Sequence, residues 1–426
     1  MTRDDLPDTD AFGSFVAREH ARGRLVVQPR MGFGDPRRMR AGLAATRAAD
    51  AASVGTITLD SYTRVGDNAS ARRAVLAGTD LNGYPIVARP PEQTREVLAG
   101  LAGPDFPVQV RHGSAAPQEI FRSLLRAGLT ATEGGPVSYC LPYGRTPLER
   151  SVANWREGAA ILAAHAEDGR SAHVETFGGC MLGQLCPPGM LVALSLLEGM
   201  FFLQHGIRGI SLSYAQQTSP AQDREAIRAL RRLASEFLGG ARWHVVLYTY
   251  MGLFPRTPGG ARSLLRQAAR TAVEAGAERV IVKTEAEAHR IPTIGENVRA
   301  LEIAARAAEE TRPAAGGDPD SDVYLEARAL LSAVLEHSDD IGTGLLRAFS
   351  RGHLDIPYCL HPDNAGRVRS RIGDDGHLRW ADTGSLPLPP VAHRSGAVTS
   401  ADLISTLSYM ERRHDSGAAP VPERNG

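Results

Sequence analysis

The feature that most limits how this chain can fold is an alternation. Short apolar runs recur roughly every 35 residues, and helix-like stretches with clear opening signals lie between them. The strand-like runs are Leu25–Gln28, Thr56–Asp60, Val108–Arg111, Leu129–Thr132, Ala172–Thr176, Gly209–Ser213, Trp243–Tyr248 and Arg279–Lys283. The first helix opens at Asp35-Pro36, in the cap-then-proline order helices prefer. Further helices are expected at Pro117–Arg126, Gly189–Gln204, Ala221–Leu238 and Ala261–Ala275. Capping boxes at Thr146–Glu149 and Thr293–Glu296 open two more, ending near Ala166 and Arg312. The stretch between the second and third strands is longer than one helix and holds an insertion at Leu81–Pro85.

Eight such units favour a (β/α)8 barrel over a doubly wound sheet. The barrel is expected over residues 1–312. The proline- and glycine-rich stretch 313–322 reads as a linker, 323–415 as a helical and irregular C-terminal extension, and 416–426 as a disordered tail. The most apolar run, Met190–Leu203, is interrupted by Glu198 and too short to span a bilayer, so a buried helix is expected there. The N-terminus is acidic without an apolar core of the signal-peptide kind. The four cysteines form no C-x-x-C pair, which argues against a disulfide scaffold or zinc site and for a reduced, cytoplasmic protein. With 48 basic and 48 acidic residues, the charge balance gives no reason to expect nucleic acid.

In such a barrel the strand C-termini converge on one face, where chemistry sits. The first three strands deliver Arg30, Arg64 and Arg111, with His112 beside the last. The fourth gives Glu133, the fifth Glu175, the seventh Tyr248 and Tyr250, the eighth Lys283. Clustered guanidiniums repel one another and need an anionic occupant; their planar fork suits a carboxylate or phosphate. Glu133 offers a place for a ligand ammonium, so the set fits an amino dicarboxylic acid. Phosphate is the weaker alternative, because barrels usually bind it on glycine-rich loops after strands seven and eight and none follows Lys283. Glu175 reads equally as a base or as a salt-bridge partner. Lys283 could form a Schiff base, as in an aldolase; it could contact a ligand or cofactor, or simply be buried against Glu285 or Glu287. Turn formation explains Gly32-x-Gly34 and Gly134-Gly135 most simply, although the latter would also let a ligand approach backbone.

These residues sit in motifs that resemble the large (E, or epsilon) subunit family of glutamate mutase, also called methylaspartate mutase. The motifs are QPRMG (Gln28–Gly32), ITLDSYTR (Ile57–Arg64), LNGYP (Leu81–Pro85), QVRHG (Gln109–Gly113) and TEGGPVSYCLPY (Thr132–Tyr143). ETFGG (Glu175–Gly179), MGLFP (Met251–Pro255), VIVKTEAEAHRIPT (Val280–Thr293), DIPY (Asp355–Tyr358) and NAG (Asn364–Gly366) continue the series. The resemblance implies a (β/α)8 barrel that works with adenosylcobalamin and interconverts L-glutamate and (2S,3S)-3-methylaspartate by a radical rearrangement. It implies substrate contacts at Arg30, Arg64, Arg111, His112, Glu133, Tyr139 and Tyr143. Cobalamin or adenosyl contacts would fall on Gly32, Asn82, Pro142, Phe254, Lys283, Glu287 and Ile291, and Glu175 matches a further active-site carboxylate. Catalytic roles are expected for Glu133, Glu175 and Lys283. The family's histidine and tryptophan at the seventh strand end are replaced by Tyr248 and Tyr250, a change expected to reshape the wall near the cofactor. The cobalt-ligating D-x-H-x-x-G belongs to a separate small subunit in that family. The nearest string here, Asp375–Trp380, lacks the final glycine and reads as a turn. A small cobalamin-binding partner and a second copy of this chain are the implied partners. A mutase for a related diacid and a Schiff-base barrel lyase or aldolase are the rival readings.

Overall fold

The computed structural model describes residues 10–142, 144–165, 171–183, 185–391 and 399–416. In chain order, α1 (Ala11–Ala21) precedes β1 (Val26–Gln28), α2 (Pro36–Arg47) and β2 (Gly55–Thr58). The insertion holds α3 (Ser61–Arg64), α4 (Asn68–Leu76) and α5 (Pro91–Leu98). Then come β3 (Val108–Arg111), α6 (Gln118–Arg126), β4 (Ala131–Glu133), α7 (Leu148–Ala164), β5 (His173–Glu175) and α8 (Pro188–Gln204). The barrel finishes with β6 (Gly209–Ala215), α9 (Pro220–Phe237), β7 (Arg242–Tyr248), α10 (Pro258–Ala275), β8 (Arg279–Ile281) and α11 (Ile294–Glu309). Beyond it lie α12 (Asp322–Leu335), α13 (Ile341–Arg351), the hairpin β9 (Arg369–Ile372) and β10 (Leu378–Asp382), α14 (Ser400–Leu407) and α15 (Tyr409–Asp415).

The eight barrel strands pair in the order β1-β8-β7-β6-β5-β4-β3-β2, all in parallel. The seam between β1 and β2 is closed by backbone bonds from Val27 to Ala52 (2.8 Å), Val54 to Val27 (3.2 Å) and Thr58 to Met31 (2.9 Å). This is the expected (β/α)8 barrel. Its lower end is covered by α1, a helix the strand count did not anticipate. Phe12, Phe15 and Val16 pack there against Val26, Val54 and Ala131, and Asp10 meets the ring of His173 at 2.7 Å.

Local chemistry explains most of the element starts. Asp35 accepts a bond from the Arg38 amide (2.7 Å) at the head of α2. The capping box at Thr293 and Glu296 forms at α11. The box expected at Thr146–Glu149 does not form. Pro147 occupies the cap position of α7, and the Leu148 amide instead donates to Asp363 (2.7 Å) from the C-terminal extension.

The apolar run 190–203 forms the buried helix α8, with Glu198 inside the protein. Its carboxylate accepts from the amides of Ser138 (2.9 Å), Phe177 (3.1 Å) and Gly178 (2.8 Å) and from the Ser138 hydroxyl (3.0 Å). A Cβ on Gly135 would lie 2.0 Å from that carboxylate, which accounts for the second glycine of Gly134-Gly135. The stretch before α12 has no regular structure, yet it is tied down: Arg228 donates to the Ala315 carbonyl (3.0 Å) and Arg232 to the Pro319 carbonyl (2.6 Å). Helix α12 buries Val323, Tyr324, Leu330 and Leu331, its face against α8 and α9. The Asp375–Trp380 string is part of the turn between β9 and β10 and the first residues of β10, with Asp375 paired to Arg379 (2.6 Å).

Candidate active site

A cavity of about 540 Å³ opens at the C-terminal ends of the strands. It is lined by Arg30, Gly32, Arg64, Asn82, Arg111, His112, Glu133, Tyr139, Glu287 and Ile291, all named from the sequence. Thr58, Phe177, Met251 and Arg290 also line it; all four lie inside the motifs quoted above without having been singled out there. Tyr143 falls outside the described residues. Pro142, Phe254, Glu175 and Lys283 are not part of the lining.

Each strand end contributes in its own way. Arg30 follows β1 and reaches Glu287 at 3.2 Å. After β2, Asp60 caps the single turn α3 by accepting from the Tyr62 and Thr63 amides. That turn carries Arg64, whose Nε donates to the Leu59 carbonyl (3.1 Å) and whose guanidinium otherwise faces the opening. Gly32 is required by the barrel itself, since a Cβ there would come within 2.1 Å of the Thr58 carbonyl oxygen. Arg111 closes β3 and Glu133 closes β4, so these two side chains emerge from neighbouring strands.

Arg111 is nearly fully buried and already matched in charge. Its Nη2 lies 2.8 Å from Glu133 and its Nη1 3.1 Å from the Tyr248 hydroxyl and 3.9 Å from Glu175. The sequence leads one to expect three uncompensated guanidiniums; the structure leaves that description to Arg30 and Arg64, and Arg30 only in part. Glu133 also accepts from the Tyr139 hydroxyl. Burial pushes the Glu133 carboxyl up, with Arg111 opposing.

Glu175 sits beneath the cavity floor. It touches the Tyr248 hydroxyl, accepts from Gln109 (3.2 Å) and is ion-paired with Arg279. Burial alone would raise its carboxyl, but Arg279 and Arg111 outweigh this and hold it below the usual carboxylate range. Of its two sequence readings, the geometry shows the salt bridge. Arg279, Gln28 and Gln109 were missed. Gln28 donates to Gln109 (2.7 Å) and accepts from Arg279, which completes a polar belt inside the barrel. Tyr248 therefore turns inward to bridge Arg111 and the two carboxylates and does not face the opening; Tyr250 is fully buried among Phe254, Ala261 and Leu264.

His112 is buried against Trp155, Phe121 and Tyr139. Burial, with Arg64 and Arg111 nearby, pushes its ring down to about 3, so it is neutral at physiological pH. Nδ1 accepts from the Ser114 amide (3.1 Å), which leaves the proton on Nε2. That atom meets the Glu133 backbone only weakly, outside ordinary hydrogen-bond geometry, and the Thr58 hydroxyl, another buried group on the cavity wall, has no partner among the described residues. Buried polar groups short of partners are uncommon, and here they lie where a ligand can satisfy them.

Lys283 stands behind the wall. Its ammonium is 3.0 Å from Glu287 and 5.2 Å from the centre of the Phe254 ring. Burial brings it down to about 8, against the pull of Glu287. The Asn82 Oδ1 accepts from the Ser61 amide (3.0 Å), which directs its NH2 group elsewhere. Ile291 stands at the mouth, 60% exposed. Among the described residues no group of His, Cys, Asp and Glu side chains could hold a metal ion, and no helix is long and apolar enough to cross a membrane.

Residues 6–402 match the model of the family described as Methylaspartate mutase E chain. The glutamate mutase epsilon subunit of Yersinia enterocolitica is 30% identical over 402 residues, 90% of this chain and 82% of that one. The glutamate mutase epsilon subunit of Halobacterium salinarum is 34% identical over 346 residues, covering 78% and 71%. The solved HMG-CoA lyase of Brucella melitensis is similar at 12% identity with a TM-score of 0.39 over 72% of this chain and 99% of that one, too distant to bear on chemistry.

Proposed function

Because the chain belongs to the methylaspartate mutase E chain family and is therefore a mutase, an isomerase, we propose that it is the substrate-binding subunit of an adenosylcobalamin-dependent enzyme that interconverts L-glutamate and (2S,3S)-3-methylaspartate. The observation that carries this reading is the meeting of Arg30, Arg64, His112 and Glu133 in one cavity. Arg64 and Arg30 suit the two carboxylates, by charge and by the shape of the guanidinium fork. The Nε2–H of His112, held only weakly by the Glu133 backbone, supplies a further donor to a carboxylate oxygen. Glu133 takes the ammonium, and Arg111 and Tyr139 hold its carboxylate in place. Glu175 acts through Arg111 and Tyr248 as a positioning group.

The cavity has the size of a pocket for a drug-sized ligand, more than one amino acid fills. The remaining wall fits a nucleoside: Glu287, held from behind by Lys283, offers an acceptor for hydroxyls, Asn82 an amide, and Ile291 an apolar edge. Gly32, Pro142 and Phe254 would complete the cofactor side, and Tyr143 the substrate side. When bound, adenosylcobalamin supplies the radical that starts the rearrangement. The protein's own work is to fix both carboxylates, hold the ammonium at Glu133 and keep water from the reacting carbons. The chain offers no cobalt-ligating motif, so the partner is a small cobalamin-binding subunit carrying D-x-H-x-x-G, and two copies of this chain would form the core of the assembly in the cytoplasm.

The test is an assay with adenosylcobalamin and glutamate, with and without such a subunit. Methylaspartate should form only when both proteins are present. Turnover by the single chain, or turnover of another diacid in preference to glutamate, would reject the reading. Lys283 is ion-paired and set behind the wall, so borohydride should trap no Schiff base.

A further inference from the structure

The loop that follows β7, residues 251–257, reaches the cavity mouth. Met251 lines the cavity, and Phe254 packs beneath the Lys283 ammonium. Little of this loop's own sequence fixes it, since it contains Gly252 and Pro255 and no regular structure. Within the barrel His289 bonds to the Arg256 carbonyl (3.0 Å); the other anchors come from α15. Helix α15 lies beyond residue 402, where the match to the family model stops. Asp415 accepts from the Arg256 amide (2.9 Å), the Thr257 amide (3.1 Å) and the Thr257 hydroxyl (2.6 Å). These are groups at the head of α10 that no turn of that helix can satisfy. Met410 is 1% exposed and shares one apolar cluster with Tyr250, Phe254, Ala261 and Leu264. Glu411 is paired with the Arg256 side chain at 2.8 Å.

We propose that Met410 and Asp415 are positioning residues: helix α15 is a clasp that sets the 251–257 loop and, through Phe254, the Lys283–Glu287 pair on the cofactor side of the cavity. A carboxylate gripping three donors at one helix head fixes the chain direction there. The buried methionine fixes its depth. Without them, the loop keeps from outside the barrel, among the described contacts, the Glu411–Arg256 ion pair alone, and Phe254 can leave Lys283. The cofactor part of this assignment rests on the function proposed above; the clasp itself does not.

The experiment uses the full chain carrying Asp415→Ala or Met410→Ala, with Met410→Leu as the conservative control. The first measurement is tryptic cleavage between Arg256 and Thr257 in the chain alone, followed by mass spectrometry. We expect cleavage about tenfold faster in both alanine variants and little changed in the leucine control. The second measurement is binding of adenosylcobalamin to the variant chain together with a cobalamin-binding subunit, read from its visible absorption. The dissociation constant should rise about tenfold, while the Michaelis constant for glutamate moves less than twofold. Unchanged cleavage would overturn the clasp. Faster cleavage with unchanged cofactor binding would overturn its positioning role. If wild-type protein shows no cofactor dependence, the functional reading fails while the cleavage result still decides the clasp.

Discussion

Arg279, the first residue of β8, is ion-paired with Glu175, the last residue of β5, across the barrel interior, and neither side chain has any exposure. Both charges have left water, and each is the other's principal counter-charge.

Removing one partner is therefore costly. Arg279→Met should destabilise the protein by about 3–5 kcal/mol, the usual cost of stranding a buried charge. The double variant Arg279→Met/Glu175→Gln should recover a large part of this. Urea unfolding at neutral pH measures both; equal losses in the single and double variants would show that packing, and not charge, holds the belt.

Arg64 and Arg111 should behave differently although the sequence makes them look alike. Arg64 faces the opening, so Arg64→Met should weaken glutamate binding by about 2 kcal/mol, roughly thirtyfold, and leave stability unchanged. Arg111→Lys keeps the charge but cannot span Glu133 and Tyr248 together. It should lower the unfolding midpoint as well as the activity. Steady-state kinetics beside thermal unfolding separates the two cases.

Glu133→Gln should harm glutamate far more than glutarate. The ammonium loses its counter-charge, while the arginine field that attracts both diacids grows stronger. The Michaelis constant for glutamate should rise, and the inhibition constant of glutarate should hold or fall. Equal weakening of both would mean that Glu133 serves to order Arg111.

Lys283 gives a pH signature. Its folded-state value is brought down to about 8 by burial, below its ordinary 10.5. Between those values the unfolded chain binds the proton and the folded chain does not, so stability contributed at this site rises with pH across that window. Subtracting the pH profile of Lys283→Met from that of wild type should expose the rise. A flat difference from pH 8 to 10.5 would mean that Glu287 keeps the lysine fully charged.

The fold was legible because strands buried on both faces read as unbroken apolar runs, and because helix openings at Asp35 and Thr293 are written in neighbouring residues. What escaped notice depends on distant partners. The head of α7 is capped by Asp363, so the local Thr146–Glu149 pattern misled. Helix α1 shows its core residues only at Phe12, Phe15 and Val16, a short signal before the first strand. Arg30, Arg64, Arg111, His112 and Glu133 could be found because strand ends point to one place. Arg279, Gln28 and Gln109 sit in the barrel interior, where a sequence pattern leads one to expect apolar side chains. Whether Arg111 is free or paired was likewise invisible, since its partners come from three other strands.

The polar belt has a consequence for how this protein can vary. Contacts run without a break from Tyr139 through Glu133, Tyr248, Glu175, Arg279 and Ser211 to His173 and Asp10, from the cavity to the opposite end of the barrel. Each member satisfies its neighbours, so a replacement tolerated in one sequence background is damaging in another. Exchanging Tyr248 for another residue is a change to the whole row. Mutational paths through this interior are therefore ordered, with compensating substitutions needed together and not in arbitrary sequence.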